Sequence, residues 1–196
     1  DRFDEICKEK IRVVEGDLSR EKLGVEPDQY DALCERVTLI INSAATVTFD
    51  EELDKAVELN TLGPTRLLQF ARDCGDVPFM HVSTCYVAGD RTGGVPEDFS
   101  APPLAQETLP RIGDSDEFDI DGLISNLRDR ARALRKKFGA GSEESRRVLI
   151  EAGMDAAHQY GWHDTYTFTK WLGEQLIRRD HGAVPLVVFR PAIIES

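Results

Sequence analysis

Short apolar runs alternate with longer amphipathic stretches along this chain. The run IRVVEGD at 11–17 is β-rich and stopped by Gly16 and Asp17, which predicts a first strand. PDQYDALCERV from Pro27 predicts a short helix with proline in its first turn. VTLIINSAA at 37–45 is continuously apolar before it breaks into small polar residues, the pattern of a parallel strand buried on both faces. Leu53, Val57, Asn60, Leu67, Leu68 and Ala71 then recur at helical spacing, with Gly63-Pro64 predicting a kink or restart. VPFMHVST at 77–84 and PLVVFRP at 185–191 predict two further buried strands.

Between those two strands lies a long insertion at 90–161. It opens as a Pro/Gly/Ser loop, RTGGVPEDFSAPPLAQETLP. Ile120, Leu123, Ile124, Leu127, Ala131, Leu134 and Phe138 then form one apolar helical stripe, with Gly139 as its C-cap. A second helix follows from the N-cap Ser142. The pair is expected to form an accessory layer or lid. Strands alternating with helices imply crossover connections, hence an α/β Rossmann-type, doubly wound parallel sheet carrying a helical insertion. One domain is expected over 1–196.

Composition narrows the picture. The 196 residues are 41% hydrophobic, and no run approaches the ~20 residues needed to span a bilayer. A net charge of −12 argues against sequence-independent nucleic-acid binding. Cys7, Cys34, Cys74 and Cys85 are scattered without metal-ligand spacing, so reduced thiols, no metal site and a cytoplasmic protein are expected. The basic run Arg128–Lys137 is expected to be a solvated helix face, and Trp162 and Trp171 to be core anchors.

Chemistry concentrates where strands end. In parallel sheets ligands bind beyond the carboxyl ends of the strands. Polar residues collect there three times: Asp17-Leu18, Asn42-Ser43 and Ser83-Thr84. Downstream, YTFTK places Tyr166 and Lys170 at i and i+4, on one helix face. By itself that pair also fits an exposed helix face. Combined with a hydroxyl at a strand end it can reduce a carbonyl. A nearby ammonium favours the phenolate and is expected to lower the phenol's pKa, making Tyr166 a general acid. Thr84, or alternatively Ser83, would hold the carbonyl oxygen, and Lys170 would also reach a cofactor ribose. A nicotinamide must supply the hydride.

The order GDL, IINSAATVTFDEELDKAVELNT, HVSTCYVAG, YGWHDTYTFTKWLGEQLI and FRPAIIES resembles the male-sterility-type fatty acyl-CoA reductases of the extended short-chain dehydrogenase/reductase superfamily. The resemblance covers nearly the whole chain. It implies NADPH-dependent reduction of a long-chain acyl-CoA, or an acyl-carrier thioester, to an aldehyde, with onward reduction to an alcohol left open. It assigns Tyr166, Lys170 and Thr84 to catalysis, with Ser83 as second choice for the hydroxyl. It also implies that Asp17 and Leu18 flank the adenine, and that Asn42, Ser43 and Ala44 line the ribose. Asn60 would support Lys170 through water, and the Pro191-Ala192 backbone would face the nicotinamide. Gly63-Pro64 departs from the family's more usual Gly-Thr.

The family's opening strand and Gly-rich phosphate turn have no counterpart in the sequence. An internal segment of a longer protein is therefore expected, itself inactive, with peripheral membrane contact left open. Two alternatives remain: a sugar-nucleotide epimerase or dehydratase of the same superfamily, and a non-catalytic nucleotide-binding module.

Overall fold

A computed structural model describes residues 8–192; Cys7 and the last four residues of the FRPAIIES motif lie outside them. Helix α1 (Pro27–Cys34) leads to strand β1 (Ile40–Asn42). A long helical passage follows: α2 (Leu53–Ala56), a π turn (Val57–Leu62) and α3 (Gly63–Asp73). Strand β2 (Phe79–Val82) ends in a 3-10 turn (Cys85–Ala88). The insertion supplies α4 (Pro103–Thr108), α5 (Ile120–Phe138) and α6 (Glu143–Gln159), before α7 (Thr165–Asp180) and β3 (Leu186–Phe189). The strands form a parallel sheet in the order β1-β2-β3. Two successive crossovers in one direction place α3 and α7 on the same face. There Leu68, Phe70 and Ala71 of α3 and Ile177 of α7 pack on Ile40 and Phe79.

Two expectations about strands are corrected. Residues 11–16 form no strand, and Ile11 and Val13 are exposed. Among the described residues no strand lies beside them, and an extended segment without a ladder partner leaves its N–H and C=O groups to water. The remaining strands are shorter than their apolar runs and are covered on one face only: Leu39, Ile41, Val187 and Phe189 point outward and are exposed. A continuous apolar run marks a parallel strand, but burial of both faces needs helices on both sides.

The Gly63-Pro64 interruption exists in an unexpected form. The chain stays helical through Gly63, whose N–H reaches back five residues to the Glu58 carbonyl. Pro64 has no N–H to give the Asn60 carbonyl. That oxygen faces Gly173 of α7, where an added Cβ would stand far inside van der Waals contact. Close approach of the two helices thus requires glycine. Gly173→Ala is expected to destabilise the protein by about 1–3 kcal/mol, because backbone rather than a rotatable side chain must move. Thermal unfolding of the variant beside wild type measures this, and an unchanged midpoint would refute it.

The insertion is not a lid. Its opening loop contains the short helix α4, begun by Pro103. Leu123, Ile124, Leu127 and Ala131 of α5 join Leu149, Ala152, Ala156 and Ala157 of α6 in one cluster with Trp162, Phe168, Trp171 and Leu172. The caps form as expected: Ser142 Oγ accepts from the Ser145 N–H at 3.0 Å, and Gly139 closes α5 at φ 85°. Both tryptophans are buried core anchors. The basic run is largely solvated and paired, with Arg130 on Asp155 and Arg132 on Asp129; Arg135 bridges to Asp54 and Glu52 beside α2. Cys34, Cys74 and Cys85 are free thiols.

Candidate active site

Parallel strands bring their carboxyl ends to one edge, so Asn42, Ser83 and the segment after Phe189 converge there. The Ser83 N–H donates to the Phe189 carbonyl at 2.7 Å, and the Cys85 N–H to the Pro191 carbonyl at 3.0 Å. Thr84 caps the following 3-10 turn, its Oγ1 accepting from the Tyr86 N–H at 3.3 Å. That turn is fixed to the start of α7 twice. Trp162 Nε1–H donates to the Val87 carbonyl at 3.0 Å. Gly89, at φ 64°, lies so close to Gly161 that a Cβ would come within 2.6 Å of the Gly161 carbonyl oxygen. Asp164 then caps α7, accepting from the Thr167 N–H at 2.7 Å. The sequence separation between Thr84 and Tyr166 is closed by these contacts.

Tyr166 is half-buried, and Phe49 meets its ring edge-on at a centroid distance of 5.8 Å. Burial raises the phenol's pKa, Asp164 and Cys85 add to the rise, and the neighbouring Thr84 hydroxyl opposes it. The expected lowering by Lys170 is therefore not the balance in this structure. The Lys170 amine is buried and directed into the sheet, donating to the Val82 carbonyl at 2.8 Å and lying 3.2 Å from His81 Nε2. Burial pulls its pKa down to about 8, opposed by Glu174 one turn along. The Glu174 carboxylate is itself fully buried, and Arg190 spans it, Nε to Oε1 at 3.0 Å, while donating to the Asp98 carbonyl at 2.6 Å. This pair fastens the segment after β3 to α7.

The remaining sequence-selected residues are placed as follows. Asn42 is buried, accepts from the Ala44 N–H at 3.1 Å, and lies 2.9 Å from His81 Nδ1. Ser43, Ala44 and Ala192 are exposed. Asn60 is occupied by Thr46, whose N–H and C=O it meets at 3.0 and 3.2 Å, and by Thr169 Oγ1 at 3.1 Å. It thus clamps the loop after β1 to α7, and Lys170 is not among its direct partners. Asp17 folds back on Ser19, and the Leu18 carbonyl accepts from Arg66 at 2.6 Å, docking both residues on the first turns of α3.

His81 joins the site only through the fold. The signal was present: it is a polar residue inside an apolar run, as is Asn42, and the two are register partners across β1 and β2. Only the register joins them.

One observation bears on whether a nicotinamide dinucleotide fits. Ser83 Oγ is buried at this edge with no hydrogen-bond partner, a group that a bound polar ligand would satisfy. The hydroxyls of Thr84 and Tyr166 lie at the same edge, so polar groups that fit the nicotinamide end of such a cofactor are present there.

Fold and edge together define an α/β domain built on a parallel sheet. The chain belongs to the NAD-binding male sterility protein family, whose model matches residues 1–196. It is 36% identical over 189 residues to a chloroplastic fatty acyl-CoA reductase 2 of Arabidopsis thaliana, covering 95% of this chain and 30% of the relative. It is 32% identical over 197 residues to an alcohol-forming fatty acyl-CoA reductase of Simmondsia chinensis, covering 99% and 38%. The chain thus spans about a third of these relatives' length. Among solved structures, the terminal R domain of the myxalamid PKS-NRPS pathway superposes with TM-score 0.58 at 18% identity, covering 96% of this chain and 35% of that one. That likeness concerns the fold. Among the described residues no helix is long and apolar enough to cross a membrane.

Proposed function

We propose that this chain carries the catalytic core of an NADPH-dependent reductase that converts a long-chain acyl-CoA to the fatty aldehyde and onward to the alcohol. The observation that carries the reading is the junction of Thr84 with Tyr166 at the carboxyl edge of the sheet, with Lys170 one helical turn along. A bound reduced nicotinamide supplies hydride to the thioester carbonyl carbon. Tyr166, held in its protonated form, donates its proton to the carbonyl oxygen as negative charge develops there. Thr84 orients that oxygen by hydrogen bond. The resulting hemithioacetal expels the thiol of coenzyme A, leaving the aldehyde. Lys170 holds the cofactor ribose and, when charged, stabilises the phenolate left on Tyr166. Ser43, Ala44, Pro191 and Ala192 line the cofactor, and Asp17 and Leu18 take its adenine end.

The relatives' names support an acyl-CoA substrate over a nucleotide sugar. Full-length protein given palmitoyl-CoA is expected to consume NADPH, with NADH a poor substitute, and to release free coenzyme A. Two NADPH per coenzyme A are expected, and a ratio of one would put the end point at the aldehyde instead. No acyl-dependent oxidation at any chain length, alongside turnover of nucleotide sugars, would overturn the assignment.

A further inference from the structure

Three buried polar groups stand in a row beneath the carboxyl edge of the sheet, and the direction of each hydrogen bond follows from the first. The Ala44 N–H can only donate, so the Asn42 atom it meets at 3.1 Å is the oxygen Oδ1. That leaves the Asn42 amide N–H to donate to His81 Nδ1 at 2.9 Å. A neutral imidazole has one donor and one acceptor nitrogen. With Nδ1 accepting, the proton sits on Nε2, facing Lys170 Nζ at 3.2 Å. An ammonium has no lone pair to accept it. The row is fully hydrogen-bonded only when Lys170 is an uncharged amine, accepting from His81 and donating to the Val82 carbonyl at 2.8 Å.

The charged form requires a different arrangement. His81 must then offer Nε2 as acceptor and carry its proton on Nδ1. Asn42 must turn its oxygen towards the ring, and the Ala44 N–H loses its acceptor. Ala44 is exposed, so the released N–H is open to water or to a ligand. We propose that Asn42 and His81 form a positioning relay, through which the proton on Lys170 is linked to the conformation of the turn at 42–44. This rests on the reading of Lys170 and of that turn as cofactor-facing. A cofactor hydroxyl accepting from Lys170 favours the ammonium, and the relay answers by freeing a backbone donor on the turn that also faces the cofactor. By linkage, a ligand held by the Ala44 N–H favours charge on Lys170.

The surroundings agree. His81 and Lys170 are buried, which disfavours charge on either; His81 is pushed down to about 3 by burial and by Lys170. The titratable groups bearing on Lys170 are His81 from β2 and Glu174 from α7, and the Glu174 carboxylate is committed to Arg190.

Nitrogen-15 NMR of the histidine rings in the full-length protein tests the relay, with His81 identified by the signals lost in His81→Gln. Well above pH 8 the ring is expected as the Nε2–H tautomer. As pH falls through about 8 it is expected to pass to the Nδ1–H tautomer while staying neutral, and Lys170→Met should abolish that step. An Nδ1–H tautomer at every pH, or a step that persists in Lys170→Met, would overturn the proposal. The pH dependence of NADPH affinity gives a second readout. His81→Gln can present an oxygen to the ammonium, so the inflection assigned to Lys170 should rise by about one unit; an unmoved inflection counts against the relay. The tautomer measurement stands even in a protein that reduces no acyl-CoA, so failure of the reductase reading is distinguishable from failure of the relay.

Discussion

Tyr166→Phe is expected to cut acyl-CoA-dependent NADPH oxidation by the full-length protein about 10²–10⁴-fold, the range a positioned general acid supplies. The substitution removes one oxygen and little else. The ring keeps its edge contact with Phe49, and the helix keeps its Asp164 cap, so the fold should survive. Because the raised phenol pKa keeps Tyr166 protonated near neutrality, the wild type holds the acid form that proton donation needs, and the variant has no substitute for it. The loss should fall on kcat, with NADPH affinity nearly unchanged, since the ribose contact proposed above is made by Lys170 and not by Tyr166. Steady-state kinetics and NADPH titration of both proteins check this. A variant within a few-fold of wild type would remove Tyr166 from the chemistry.

Much of this architecture could be anticipated from local pattern, and the failures have a common origin. The apolar stripe from Ile120 to Phe138, closed by Gly139, states its own periodicity and end, so α5 was legible. What the stripe packs against was not, and a pair of helices expected to form an accessory layer or lid proved to be part of the main core. The run 11–17 has strand composition, but a strand is a property of a pair, and composition does not supply the partner. Tyr166 and Lys170 share a helix face, as their spacing dictates. Spacing does not say where the long lysine stem ends, however, and here it ends on Val82 and His81 of another element. The Asn42–His81 contact depends in the same way on strand register, which becomes definite only once β1 and β2 are paired. Gly63-Pro64 announced a disturbed helix, but not that the chain widens into a π turn there or that Gly173 of α7 packs against it.

His81 should make a large, separable contribution to the acid unfolding of this protein. Buried His81 resists protonation until about pH 3, whereas in the unfolded chain it protonates near its ordinary value of 6.5. Between those values the unfolded state binds a proton that the native state refuses. Stability is therefore complete above 6.5 and falls as pH drops towards 3, by about 1.4 kcal/mol per unit and about 5 kcal/mol in all. Lys170 acts in the same direction at the other end of the scale. Its native pKa of about 8 lies below the ordinary 10.5, so stability rises with pH between those values. Carboxylates elsewhere also contribute to acid unfolding, so the informative quantity is the difference between wild type and His81→Gln in thermal midpoint across a pH series. Glutamine binds no proton in either state. The variant should start less stable at neutral pH, having given up the fitted contact with Asn42, and then lose stability more slowly on acidification. The two curves should converge as pH falls. Parallel curves would mean that the ring takes up its proton as readily inside the fold as outside, and that burial beneath the sheet edge does not hold it neutral.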